Sequence, residues 1–122
     1  MRLPDPLRGG LQEVLVLTFA ATGRGNCVEV DGTPYVYVRT ASGSFVMRAD
    51  CPHRGGPLHL AAEGPEGKSL ICPWHERRTA TVRMRQRIPA VRTGRTVRAV
   101  LPHPPQAEVS HQHRPLSPAL AC

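Results

Sequence analysis

Apolar residues fall along this chain in short runs separated by Gly, Pro and Asp, and most runs repeat with a period of two. Residues 14–19 (VLVLTF) form an apolar run of strand length. Residues 27–30 and 35–39 flank Asp31-Gly32-Thr33-Pro34, and an Asp-Gly pair between strand-forming runs predicts a hairpin. Residues 44–48 (SFVMR) return after Ala41-Ser42-Gly43 as the third member of a meander. Residues 58–62 suit a brief pairing, 63–68 (EGPEGK) a turn, and Ser69-Leu70-Ile71 another strand. Further on, Val82, Met84 and Ile88 alternate with Arg83, Arg85 and Arg87. Arg, Met and Gln also favour helix, but the alternation and Pro89 at its end predict a strand with one basic face. Residues 91–101, broken at Thr93-Gly94, predict a closing hairpin. The expected fold is all-β, with small antiparallel sheets and no internal repeat.

Composition narrows this to one small domain. With 122 residues, thirteen prolines, eleven glycines and only 4% aromatics, the core is thin enough that a metal or cofactor staple would help it. The expected limits are a flexible segment at 1–11, a folded domain at 12–101, and a disordered Pro-rich tail at 102–122. No apolar run approaches the roughly 18 residues that cross a bilayer. Residues 14–21 follow Arg2 and Arg8 in a weak signal-peptide shape, but Asp5 and Glu13 interrupt the charge pattern and the run is short. It reads as the first strand of a cytoplasmic protein.

The chemistry lies in two loops. Cys51-Pro52-His53 and Cys72-Pro73-Trp74-His75 each place a thiol and an imidazole close together, with eighteen residues between His53 and Cys72. Thiolate with imidazole suits zinc or an iron–sulfur centre. A Cys2His2 zinc site meets tetrahedral demand, but finger-type spacing groups cysteines at one end and histidines at the other. One Cys and one His per loop suits a dinuclear centre, with thiolates on one iron and imidazoles on the other. Cys27 reads as a small buried hydrophobe, Cys122 as incidental, and His59 as a loop histidine satisfied by its neighbours. His103, His111 and His113 fall in the expected tail.

The segments Cys51-Pro52-His53-Arg54-Gly55-Gly56-Pro57-Leu58 and Leu70-Ile71-Cys72-Pro73-Trp74-His75 resemble the two cluster-binding loops of Rieske [2Fe-2S] proteins, in the ferredoxin and oxygenase branch. The resemblance covers roughly residues 12–101. It implies a [2Fe-2S] cluster with Cys51 and Cys72 on the inner iron and His53 and His75 on the outer one. It further implies one-electron transfer between a reductase and a terminal oxygenase or other oxidoreductase, as a component and not a complete enzyme. A mononuclear iron domain would not fit in this length. Gly55 and Gly56 would let backbone approach the sulfides, and Trp74 would shield the cluster. The second cysteine that quinol-oxidising relatives carry in each loop is missing. The usual Gly after the last histidine is also missing: Glu76-Arg77-Arg78 stands there, and Glu76 would be strained if that position needs a positive φ.

Charge adds a partner. Sixteen Lys+Arg against nine Asp+Glu give a net charge of +7. Arg77, Arg78, Arg83, Arg85, Arg87, Arg92, Arg95 and Arg98 have no acid among them. A solvated strand face is one reading, and a docking strip for an acidic redox partner is another. Nucleic acid fits less well, because no stacking aromatics interleave with the arginines. A zinc-stapled, non-redox module using this face is the alternative function.

Overall fold

The computed structural model describes residues 13–51, 55–74 and 76–121. The expectations for residues 1–11, for His53 and His75, and for Cys122 lie outside the described residues. The meander forms as its pattern predicts. Strands β1 (Leu15–Ala20), β2 (Cys27–Val30), β3 (Thr33–Thr40) and β4 (Gly43–Arg48) come first. The β2–β3 turn holds Asp31 at φ 47° and Gly32 at φ 84°. Two consecutive positive φ values are what a two-residue hairpin turn needs to match strand twist. Short strands β5 (Ala62–Glu63), β6 (Ser69–Ile71) and β7 (Arg78–Ala80) follow, and β8 (Ala90–Thr93) and β9 (Thr96–Leu101) form the closing hairpin.

Three antiparallel sheets result, in the orders β1-β9-β8, β2-β3-β4 with one further strand outside β2, and β5-β6-β7. The middle sheet is buried on both faces, so its side-chain alternation divides the core in two. Val28, Val30, Tyr35, Tyr37 and Val46 pack against Phe19, Val97, Ala99 and Leu101 of the first sheet. Cys27, Val36, Val38, Phe45 and Met47 face the other way, toward the loops. All-β architecture therefore holds, with one short helix added.

That helix is a correction. Residues 81–87, expected as strand, form α1 (Thr81–Arg87). The apolar alternation at Val82, Met84 and Ile88 misleads because Val82 is half exposed. The buried positions are Thr81, Met84 and Ile88, spaced at i, i+3 and i+7 along a helical stripe. Thr81 starts the stripe with its hydroxyl donating to the Gly67 carbonyl at 2.9 Å. Arg85 leaves the supposed basic face, donating to the Ser42 carbonyl at 2.8 Å and lying 5.8 Å over the Phe45 ring.

The tail is a second correction. Residues 102–121, expected to be disordered, hold β10 (Val109–Gln112), which pairs antiparallel with β2 and covers its edge. Asn26, almost fully buried, donates to the Arg114 carbonyl at 2.7 Å and accepts the Arg114 N–H at 2.8 Å. Ser117 donates its hydroxyl to Ala61 O and its N–H to His59 O, and Leu120 is completely buried. Proline content suggests disorder only when no apolar anchor repays the ordering, and here one leucine and a run of side-chain-to-backbone bonds do so.

Candidate metal centre

Strand parity delivers both candidate thiols to one place. On β4 and its extension Phe45, Met47, Ala49 and Cys51 alternate onto the loop-facing core, and on β6 Leu70 and Cys72 do the same. Cys51 is 3% exposed and Cys72 1%. Both are free thiols in the same buried cluster, so each sits where a loop begins on a rigid strand.

Gly56 links the two loops. Its carbonyl accepts the Cys51 N–H at 2.7 Å, and the Gly55 N–H donates to Cys51 O at 2.9 Å. A Cβ on Gly56 would stand 2.9 Å from Cys72 Sγ and 3.3 Å from Trp74 Cβ. Any other residue would push into the second thiol. Gly55, at φ 70°, turns the chain so that this approach is possible. Pro57 bridges back to Asp50, closing the first loop at its base.

The second loop is closed by Cys72 N–H donating to Arg77 O at 3.0 Å and Glu76 N–H donating to Cys72 O at 2.8 Å. Glu76 lies at φ 52°, the left-handed conformation its sequence position raised. A non-glycine residue there costs roughly 1–2 kcal/mol, partly offset by the extra unfolded-state entropy of glycine. Glu76→Gly is therefore expected to raise stability by roughly 0.5–1 kcal/mol, read as a higher midpoint in urea with an unchanged slope. An equal or lower midpoint would show that the turn carries no strain.

The remaining expected roles sort clearly. Cys27 is fully buried against Val36 in the loop-facing core, and burial pushes its thiol pKa up, as for an inert hydrophobe. His59 lies close to Ala49 O through its ring Nδ1, at 3.2 Å. His103 meets the buried Tyr35 hydroxyl at 2.7 Å. Trp74 is 65% exposed, so the expected shielding ring faces largely outward. Two residues with a bearing on the site went unread in the sequence. Asp50, next to Cys51, pairs with Arg114 at 3.1 Å, and Ser117 ties down the segment after the first loop. Single polar residues with distant partners leave no periodic signal.

Beside Cys51 opens a cleft of about 400 Å3 walled by Arg77, Arg78, Arg83 and Arg87, with no carboxylate in its lining. Among the described residues no salt bridge or hydrogen bond engages these four guanidiniums. Four of the eight arginines of the strip thus line a cleft that adjoins a candidate ligand.

Two buried thiols therefore sit on strand-fed loops that meet at a glycine with no room for a side chain. The family model for the Rieske [2Fe-2S] domain matches residues 16–101, and the chain belongs to that family. No curated protein and no solved structure matches the chain. Membership implies a [2Fe-2S] cluster and an electron-transfer role. The described residues fit such a group: two thiols are buried on facing loops, and the Gly56 cradle keeps the space at Cys72 clear. Among the described residues no three metal-binding side chains gather, and the other two candidates, His53 and His75, lie outside them. No helix among the described residues is long and apolar enough to cross a membrane.

Proposed function

We propose that this protein carries single electrons between a reductase and a terminal oxygenase or other oxidoreductase, as one component of that system. Cys51 and Cys72 would hold one iron of the cluster and His53 and His75 the other. When bound, the cluster supplies a one-electron acceptor that two neutral imidazoles make easier to reduce than an all-cysteine centre. The chain's own residues supply a stiff seat. Gly56 holds the loops in contact, and paired strands beneath limit reorganisation as charge changes. The observation that carries the reading is the joint placement of Cys51, Gly56 and Cys72.

The arginine cleft supports an acidic docking partner, since four guanidiniums beside Cys51, without salt bridges or hydrogen bonds among the described residues, would steer a negative surface and speed encounter. Nucleic acid is disfavoured by the lack of interleaved aromatics. Free cysteines suit a reducing, cytoplasmic setting.

Anaerobic purification tests the proposal. The expected product is brown, with two irons and two acid-labile sulfides per chain, reducible by one electron. Transfer to an acidic partner should slow as salt rises. Colourless protein holding a single zinc would replace this reading with the zinc-stapled binding module.

A further inference from the structure

Another cavity has neither candidate thiol in its lining. It encloses about 320 Å3 where the two halves of the core meet. Met47, Leu58 and Met84 line it from the loop-facing core, and Tyr35 and Ile88 from the other. Each of these five residues is at least nine-tenths buried, so the space reaches into the interior. The Tyr35 hydroxyl is already bonded to His103, which leaves its ring to form wall.

Thr79, Pro102 and two arginines, Arg48 and Arg87, complete the lining, and no acidic residue belongs to it. Neither guanidinium has a salt bridge or hydrogen bond among the described residues. Arg87 and Thr79 also line the arginine cleft beside Cys51, so the two spaces are neighbours. An apolar cavity of this size with a few charged groups is the ordinary form of a small-molecule site.

We propose that this cavity binds a small carboxylate with an apolar body about the size of an aromatic ring. The body fills the space among Met47, Leu58, Met84 and Ile88, and the carboxylate meets the guanidiniums of Arg48 and Arg87. Arginine's planar fork matches a carboxylate through two parallel hydrogen bonds. A free phosphate satisfies the arginines but leaves the apolar wall unused, and a neutral ring leaves two cations unpaired. The wall includes Leu58, whose N–H donates to Gly56 O at 2.9 Å, so an occupant rests on the segment that seats both thiols.

The site does not depend on the cluster assignment. Calorimetric titration of the full-length protein, with iron and sulfide measured on the same sample, keeps the two questions separate. Phenylbutyrate is expected to bind at one site per chain. Phenylbutanol, which lacks the charge, should bind about tenfold more weakly or worse. Arg48→Gln and Arg87→Gln, both on exposed side chains, should each weaken phenylbutyrate by about tenfold with unchanged far-UV circular dichroism. Inorganic phosphate should not compete at equal concentration. Absence of saturable phenylbutyrate binding, or wild-type affinity retained in both arginine variants, would overturn the proposal. So would a polyglutamate peptide that binds where phenylbutyrate does not, which would give these arginines to an acidic protein partner instead.

Discussion

Cys72→Ser is expected to purify with its cluster content reduced at least about tenfold, measured as iron and acid-labile sulfide per chain. Cys72 is 1% exposed, and its Sγ lies 2.9 Å from where a Cβ on Gly56 would stand, so the thiol is packed directly against the first loop. A serine hydroxyl is a harder ligand, a poorer match for iron–sulfur chemistry, and stays protonated at neutral pH. Cys27→Ala is the matched control. It removes an equally buried thiol from the same core, and should keep full cluster content while costing about 1 kcal/mol in packing. His75→Cys should keep a cluster at a lower reduction potential, because a thiolate adds negative charge. Full cluster in Cys72→Ser would refute the ligand assignment.

Leu120→Ala should lower stability by about 3 kcal/mol, or a thermal midpoint lower by roughly 10 °C. Leu120 is wholly buried in the core that contains Cys51 and Cys72, and its carbonyl accepts the Arg39 N–H at 3.1 Å. A leucine in a disordered tail would change stability by under about 0.5 kcal/mol, so the two pictures separate cleanly. Ending the chain at residue 101 should cost more still. It also removes the β10 pairing, the two Asn26–Arg114 bonds and the Arg114–Asp50 ion pair.

Features set by local pattern were legible in the sequence. The Asp31-Gly32 turn, the meander through residue 48 and the Thr93-Gly94 hairpin each combine a period of two with a residue suited to its turn. The cysteine parity follows from the same alternation, and the strain at Glu76 from the residue missing there. The helix was misread because residues 82–88 satisfy both periods, and only Thr81, a polar residue, reveals which face is buried. The tail was misread for a different reason. Its anchors, Asn26 to Arg114 and Ser117 to Ala61, join points far apart in sequence, and neither residue type announces a partner. Within the site, the spacing singled out Cys51 and Cys72 as candidates and the resemblance brought in Gly56, but the support from Asp50, Arg114 and Ser117 left no signal in the sequence.

The tail's route also sets an order in time. Leu120 closes the core around Cys51 and Cys72, and β10 pairs with β2 across some eighty residues of chain. Contacts of such separation form late, because a long loop must close before they contribute. During synthesis, at about 5–20 residues per second, the strands that feed both loops are therefore made seconds before the residue that seals them. For that interval the core around Cys51 and Cys72 lacks Leu120, and the edge of β2 lacks β10.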